Sequence, residues 1–432
     1  MRKIKYMRIV LILLFISLKS FGQWTLVPSP STVNLNSLHF GNENTGYIAG
    51  NGVILKTTNK CDNWIIQGTG YNYTKVHCSS IDTAYICRTT GGSGLRTING
   101  GSNWTFVPNL LIGDLNSVFS MNSKFIYFTG IGTAQSGGAH PYTFGTGARS
   151  KDAGTTWQYF ANYSWPKFNC TQFIDTLIGY AVGSEIVSNK GSILKTVDGG
   201  QNWIPLSSTY GYFWNSLCFV NTKVGYICGK NGIIRKTVDG GLNWFSQHLT
   251  PQQNFRTSHF KYDEEIGTNK IIEFATDLTS IYFTNADTGC VVGTNGMIFG
   301  TVDGGISWHK QNSGTINKLN SVYFTNSRDG YIVGDGGVIL KTSNGPVEIG
   351  KIKIPNNLQI YPIPTDKDLI IKQYEENVEL RIFDLVGNLI TETPLLIGSN
   401  SIDLSELSNG VYIVEIRNEK TIIRKRIIKN KK

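Results

Sequence analysis

An all-β fold is predicted: a seven-bladed β-propeller closed by its N-terminal strand, then a small C-terminal β-sandwich. One observation is a recurrent polar turn. Lys195-Thr196-Val197-Asp198-Gly199-Gly200-Gln201-Asn202-Trp203 returns at Lys236–Trp244 and Gly300–Trp308, and looser copies end at Trp64, Trp104 and Trp157. A motif repeated about every 40 residues announces a repeat architecture. Composition is the second: 48 glycines in 432 residues, 12% aromatic and 16% charged, suit short strands and tight turns. The third is punctuation, because strand-length apolar runs are separated by Asn-Gly or Gly-Gly, the residues of tight hairpins.

The elements follow in order. The first repeat runs Leu35–Phe40, Gly46–Gly50, Val53–Thr57, then Trp64. The fifth runs Trp214–Phe219, Gly225–Gly229, Ile233–Thr237, then Trp244. Each is a four-stranded meander of propeller-blade size. The last runs Leu319–Phe324, Gly330–Gly334, Val338–Thr342 and lacks its Trp. Gln23-Trp24-Thr25-Leu26-Val27 supplies an unpartnered Trp strand 40 residues before Trp64. Joining the two ends completes seven blades and removes two exposed sheet edges.

Thr196-x-Asp198-x-Gly200-x-x-Trp203 explains its own residues. An Asp side chain accepts N–H bonds across its own turn, and Gly permits positive φ. Asp152, Asp198, Asp239 and Asp303 are therefore expected to be structural Asp-box staples, not catalytic carboxylates. Asn99 and Asn344 hold the same place, and Asn carries no acid–base chemistry.

Residues 1–22 read as a signal peptide, with Arg2, Lys3, Lys5 and Arg8 before the apolar run Ile9–Leu18, which is too short to span a bilayer comfortably. The propeller is expected over 23–345, a linker over 346–355 and a sorting domain over 356–432. The net charge of +10 divides into +5 for residues 1–22, +3 for 23–350 and +2 for the rest, so no nucleic-acid footprint is visible. Seven cysteines at irregular spacing, without CxxC, form neither a disulfide framework nor a zinc site, although Cys78/Cys87 and Cys218/Cys228 sit on adjacent predicted strands. No His pair has metal-ligand spacing, and no cofactor or metal is expected. G-x-S-x-G, H-E-x-x-H and phosphate-loop motifs do not occur.

Repeats of the form G-Y-x-x-G-x-x-G-x-I-x-K-T-x-D-G-G-x-x-W resemble the photosystem II assembly-factor propellers and their bacterial relatives, and more loosely the Asp-box repeats of sialidases. The likeness covers residues 24 to about 345 and implies fold more than function. A sialidase site needs an arginine triad, and Arg88, Arg96, Arg149, Arg235, Arg256 and Arg328 offer no obvious one. Tyr361-Pro-Ile-Pro-Thr365, Asp384–Gly387, Leu407–Tyr412 and the basic tail resemble the type A C-terminal sorting domain of the type IX secretion system of Bacteroidetes, with Ile363 where that family usually has Asn. This implies export through the periplasm to the outer-membrane surface or the medium, with the type IX machinery as partner.

Where repeats differ, function is expected. Long insertions fall at Ile131–Ala148, Ser184–Gly191 and Phe245–Thr276, on the face opposite the Asp-box turns. Tyr71, Tyr142, Phe144, Tyr163, Trp165, Tyr210 and Tyr212 lie on that face without repeat equivalents, and are the expected ligand-binding residues. Tyr73, Phe168 and Trp214 take the place of Leu35, Leu115 and Leu319 and are expected in the core. The expected activity is binding or adhesion to an extracellular glycan or protein. A surface polysaccharide hydrolase or lyase would need a carboxylate pair, for which Asp263, Glu264, Glu265 and Glu273 are candidates. A third reading is an assembly factor for an envelope complex.

Overall fold

The computed structural model describes residues 24–89, 91–108, 110, 113–134, 142–162, 164–185, 190–249, 276–346, 358–361, 365–373, 376–385, 387–417 and 422–430. The expected signal peptide and most of the linker lie outside them. All regular structure described is β, apart from two single-turn 3-10 segments.

Four-stranded antiparallel meanders recur. One contains Trp214–Phe219, Gly225–Gly229, Ile234–Thr237 and Phe245–Gln247, and the next Leu278–Phe283, Gly289–Gly293, Ile298–Thr301 and His309–Gln311. Near the start, Ile65–Cys78 is one long strand shared by two repeats, pairing first with Gly46–Thr57 and then with Ala84–Arg88. At the other end Leu319–Phe324, Gly330–Gly334 and Ile339–Thr342 form a sheet whose fourth strand is Thr25–Leu26, with Thr25 opposite Lys341 and Leu26 opposite Leu340.

In five repeats a Trp meets the Phe that ends the first strand edge-on. Trp244 stands edge-on to Phe219 at 6.0 Å, and Trp308 to Phe283 at 6.0 Å. Trp24 makes the same contact with Phe324 at 6.0 Å, so the N-terminal Trp occupies the place that the last repeat leaves vacant. The Phe ring lies flat over the Gly that opens the second strand. A Cβ at Gly225 would sit 2.5 Å from Phe219, which is why that position reads Gly.

Neighbouring repeats are stapled by the Lys of the Lys-Thr motif. Lys56 Nζ donates to Gly100 O (2.6 Å), Lys195 to Gly240 O (3.3 Å) and Lys236 to Gly304 O (2.9 Å), each on the following Asp-box turn. Arg96 and Arg149 do the same to Ala153 O and Gly199 O, so two of the six arginines are structural. Lys341, in the last repeat, reaches Asp62 of the first at 2.7 Å.

The first strands of the repeats touch in sequence around an axis, and Leu319–Phe324 touches Leu35–Phe40. Each carries a β-bulge just after its leading apolar residue, Leu35, Tyr73, Leu115, Phe168, Trp214, Leu278 or Leu319. The bulged residue donates its side chain to a carbonyl of the next strand. Asn36 bonds Tyr73 O, Thr74 Leu115 O, Asn116 Phe168 O, Asn169 Trp214 O, Asn215 Leu278 O, Thr279 Leu319 O and Asn320 Leu35 O.

All seven cysteines are buried and free. The register places Ala84, not Cys87, opposite Cys78, and Tyr226, not Cys228, opposite Cys218. Tyr73, Phe168 and Trp214 are buried in the core as expected.

The C-terminal region forms two antiparallel sheets, one of Gln359–Tyr361, Asp368–Gln373 and Gly398–Asp403, the other of Leu389–Leu395, Val378–Phe383, Gly410–Arg417 and Ile422–Lys429. Leu369, Ile371, Leu380, Ile382, Val414 and Ile427 fill the core between them.

Trp24→Ala should cost roughly 3–5 kcal/mol, the scale of a buried aromatic, and as much as Trp244→Ala in denaturant titration. An unchanged unfolding midpoint for Trp24→Ala would show that the N-terminal strand is no part of the ring.

Candidate functional site

Two insertions of the expected binding face are paired strand in their described residues. Ile126–Ala134 and Tyr142–Ser150 pair along their whole length, from Ser150 opposite Ile126 to Tyr142 opposite Ala134. Ser184 pairs with Gly191 and Glu185 with Lys190. Tyr142, Phe144 and Tyr210 therefore stand on paired strands, and Tyr71 lies at the register irregularity between Thr69 and Asn72. Tyr163, and the side chains of Tyr142 and Tyr210, fall outside the described residues, as do Asp263, Glu264, Glu265 and Glu273.

Two of the expected aromatics are paired with arginines. Tyr71 is exposed, and the Arg88 guanidinium lies 4.6 Å from its ring centre and 4.7 Å from that of Phe106. Arg88 is held there by Nε to Ser93 O and Nη2 to Ser93 Oγ, both 2.8 Å. It replaces the Gly that ends this strand in other repeats, such as Gly229 and Gly334. Tyr212 is half-buried and stacks on Trp214 at 5.4 Å. Arg235 lies 4.8 Å from the Tyr212 ring and bonds its hydroxyl at 3.3 Å. Arg235 occupies the place of Leu55, Leu194 and Leu340, and its Nε is buried without a hydrogen-bond partner.

Around Arg235 the surface is basic. Lys230 lies over Phe213 at 4.7 Å, and Lys190 is opposite Tyr210. Burial, then the Lys230 charge, lowers the Lys167 ammonium from its ordinary value. Sequence reasoning picked out the aromatics and missed the arginines. The available signal was an arginine at a position filled elsewhere by Gly or Leu.

Phe144 and Trp165 do not join these pairs. Trp165 is half-buried against Phe160 (6.3 Å) and Phe168 (6.1 Å), and its carbonyl accepts the Gly145 N–H at 3.0 Å. Phe144 covers Gly132, where a Cβ would lie 2.6 Å from its ring.

The Asp-box carboxylates bond within their own turns. Asp198 accepts from Thr196 Oγ1 (2.8 Å), the Gln201 and Asn202 amides (3.0 Å each) and Asn202 Nδ2 (2.7 Å). Asp239 and Asp303 repeat the pattern with Thr237 and Asn243, and with Thr301 and Ser307. At Asp152 the Thr156 hydroxyl and amide hold the carboxyl down at about 2. Asn99 bonds Thr97 and the Asn103 amide in the same way. Among the described residues, no group of three or more His, Cys, Asp or Glu is placed to hold a metal.

A family described as photosynthesis system II assembly factor YCF48 matches residues 155–285 and 263–380, together more than half of the chain. The chain belongs to the YCF48 family. A secretion system C-terminal sorting domain matches residues 359–430 and marks this YCF48-family protein for type IX export to the cell surface or the medium. No curated protein matches it. Among solved structures, YCF48 bound to a D1 peptide is 17% identical with a TM-score of 0.57, over 75% of this chain and 96% of that one. YCF48 from Cyanidioschyzon merolae is 17% identical with a TM-score of 0.55, over 74% and 98%. The GH74 xyloglucanase from Xanthomonas campestris is 11% identical with a TM-score of 0.54, over 82% and 60%. At these identities the likeness is one of fold. No helix among the described residues is long and apolar enough to cross a membrane.

Asp198→Ala should cost roughly 0.5–2 kcal/mol, the scale of a lost turn or cap bond, and leave ligand binding unchanged. A folded variant that loses binding would show that the carboxylate does more than hold its turn.

The His39 and His77 rings lie 3.9 Å apart, tilted by 33°. Burial, then the Lys75 charge, holds His39 down at about 3, and burial with the His39 and Lys75 charges holds His77 well below 6.5. Below about pH 6.5 the unfolded chain takes up protons that the fold refuses, so stability falls as pH drops toward 3 and is level above 7. The slope should approach about 1.4 kcal/mol per pH unit for each ring, and His77→Gln should halve it. Equal stability at pH 7 and pH 5 would mean that the rings are not held neutral.

Proposed function

We propose that this exported propeller is a binding protein that takes an extracellular protein segment or glycan on its insertion face. The observation that carries the reading is Arg235. An arginine in place of a core leucine, with Nε buried and unpartnered, costs stability unless something else compensates it. Its stacking on Tyr212, with Trp214 alongside, holds it ready, and the Arg88–Tyr71–Phe106 group repeats the arrangement. Arginine and aromatic side chains are the residues that anchor interfaces. A protein segment is the first choice, since the structurally similar YCF48 carries a bound peptide. The exposed face of Tyr71 suits a sugar ring equally. A hydrolase reading would rest on Asp263, Glu264, Glu265 and Glu273, which lie outside the described residues. An assembly-factor role for an envelope complex would use the same face.

The purified protein should be screened on arrays of surface glycans and of extracellular proteins. Arg235→Leu and Arg88→Gly restore residues that other repeats carry, so each should fold. Each should weaken binding of the hit by more than ~1 kcal/mol, or about fivefold or more, as loss of an interface anchor does. Leu242→Ala, exposed on an Asp-box turn, should not. Wild-type affinity in both arginine variants would place the site elsewhere.

A further inference from the structure

Arg88 is a cation held in place without a counter-charge. It ends the second strand of its repeat, where Gly50, Gly229 and Gly334 stand in others. It is only 9% exposed, yet no ion pair among the described residues involves it. Burying a charge is costly unless an opposite charge or polar groups meet it. The next turn is shaped around it. Gly91 and Gly92 take positive φ, 87° and 62°, and Ser93 comes back against the guanidinium. A Cβ at Gly91 would stand 2.6 Å from Nη2, so that place must be Gly.

The hydrogen bonds show which part of the guanidinium is committed. An arginine has five N–H donors. Nε donates to Ser93 O and Nη2 to Ser93 Oγ, both at 2.8 Å, and Nη2 also donates to Gly91 O at 3.3 Å. The two N–H bonds of Nη1 meet no acceptor among the described residues. Nη1 is not among the side-chain atoms shut off from solvent without a partner. One nitrogen of a fixed cation therefore stays open.

Two rings frame it. The guanidinium carbon lies 4.6 Å from the Tyr71 ring centre and 4.7 Å from that of Phe106. The ring centres are 6.0 Å apart and the ring planes meet at 63°. Tyr71 is 42% and Phe106 49% exposed, so both keep open surface beside the guanidinium.

These features select among anions. A phosphate or sulfate is held by several converging donors, and here only Nη1 is uncommitted. One carboxylate oxygen matches it. An acidic side chain of a peptide would fill that place and leave the rings uncovered. A hexuronate carries its carboxylate directly on a pyranose ring, whose C–H face suits an aromatic surface. We propose, building on the binding-protein reading above, that the Arg88–Tyr71–Phe106 group binds a hexuronate residue of an acidic polysaccharide. Nη1 donates to the carboxylate, and the sugar ring lies against the aromatic pair.

The test is isothermal titration calorimetry of the whole exported protein with tetramers of galacturonate, mannuronate, guluronate and glucuronate, and with the methyl ester of each. At least one acid tetramer should bind saturably. Its ester should bind about tenfold or more weakly, as loss of a charge-assisted hydrogen bond implies. That comparison needs no variant. Arg88→Gly and Arg88→Gln should give the same loss, and Tyr71→Ala and Phe106→Ala roughly fivefold or more. Leu242→Ala should bind like the wild type. Failure of every acid tetramer to bind, equal binding of acid and ester, or wild-type affinity in both Arg88 variants would overturn the proposal. An acidic peptide that binds through Arg88 where no uronate does would overturn it too, while leaving the binding-protein reading intact. If neither the tetramers nor the glycan and protein arrays yield a ligand, both fall.

Discussion

The structure depends on a circuit of side-chain to backbone hydrogen bonds at the β-bulges. A bulge turns one extra residue out of each first strand. In every repeat that residue is Asn or Thr, and its side chain reaches a carbonyl on the next strand. Six of the seven contacts are 2.7–2.9 Å, and the one from Asn320 to Leu35 joins the last repeat to the first. Each is worth about 0.5–1.5 kcal/mol net, but a carbonyl left without its donor costs more. The bonds thus set the spacing of the repeats as well as adding stability. The Lys-Thr staples and the Trp–Phe pairs then fix the outer parts of the sheets against that spacing.

A frame this regular makes its departures informative. Most residues of the propeller have a structural duty that can be named from the repeat, and the Asp-box carboxylates are among them. Lys75, Arg88 and Arg235 have none. Each puts a cation where other repeats have Ser, Gly or Leu. At Arg88 and Arg235 the local packing adapts by stacking on aromatics. Burying such groups opposes folding, so their presence points to work outside folding. Two face the insertion side, and the third lies near the axis.

Much of the architecture could be read from the chain because the same physical demand recurs in each repeat. Trp24, 40 residues before Trp64, already indicated the strand that Thr25–Leu26 adds to the last sheet. The Leu-Asn-Ser triplets were visible too, but their purpose was not, since a bulge and a bond to the next repeat leave no trace in local periodicity. The candidate site was less accessible. Tyr71 and Tyr212 stood out as aromatics without equivalents, yet Trp165 did as well and proves to pack on Phe160 and Phe168. Only tertiary contacts separate an aromatic that covers a blade end from one that holds an arginine. Two of the insertions looked like loops because their Gly and polar residues mask alternation, whereas their described residues pair as strands.

The circuit makes a direct demand on the two ends of the repeat region. In an open array the terminal repeats fray first, and their amides exchange with solvent faster than those in the middle. Here the Leu38 amide donates to Ser321 and the Ile281 amide to Ser216, so the junction of last and first repeats is bonded like an internal one. Native-state hydrogen exchange compares them on one sample. The account predicts that residues 35–40 and 319–324 exchange as slowly as 278–283, through the same global opening. Rapid exchange at 35–40 with protection retained at 278–283 would contradict it.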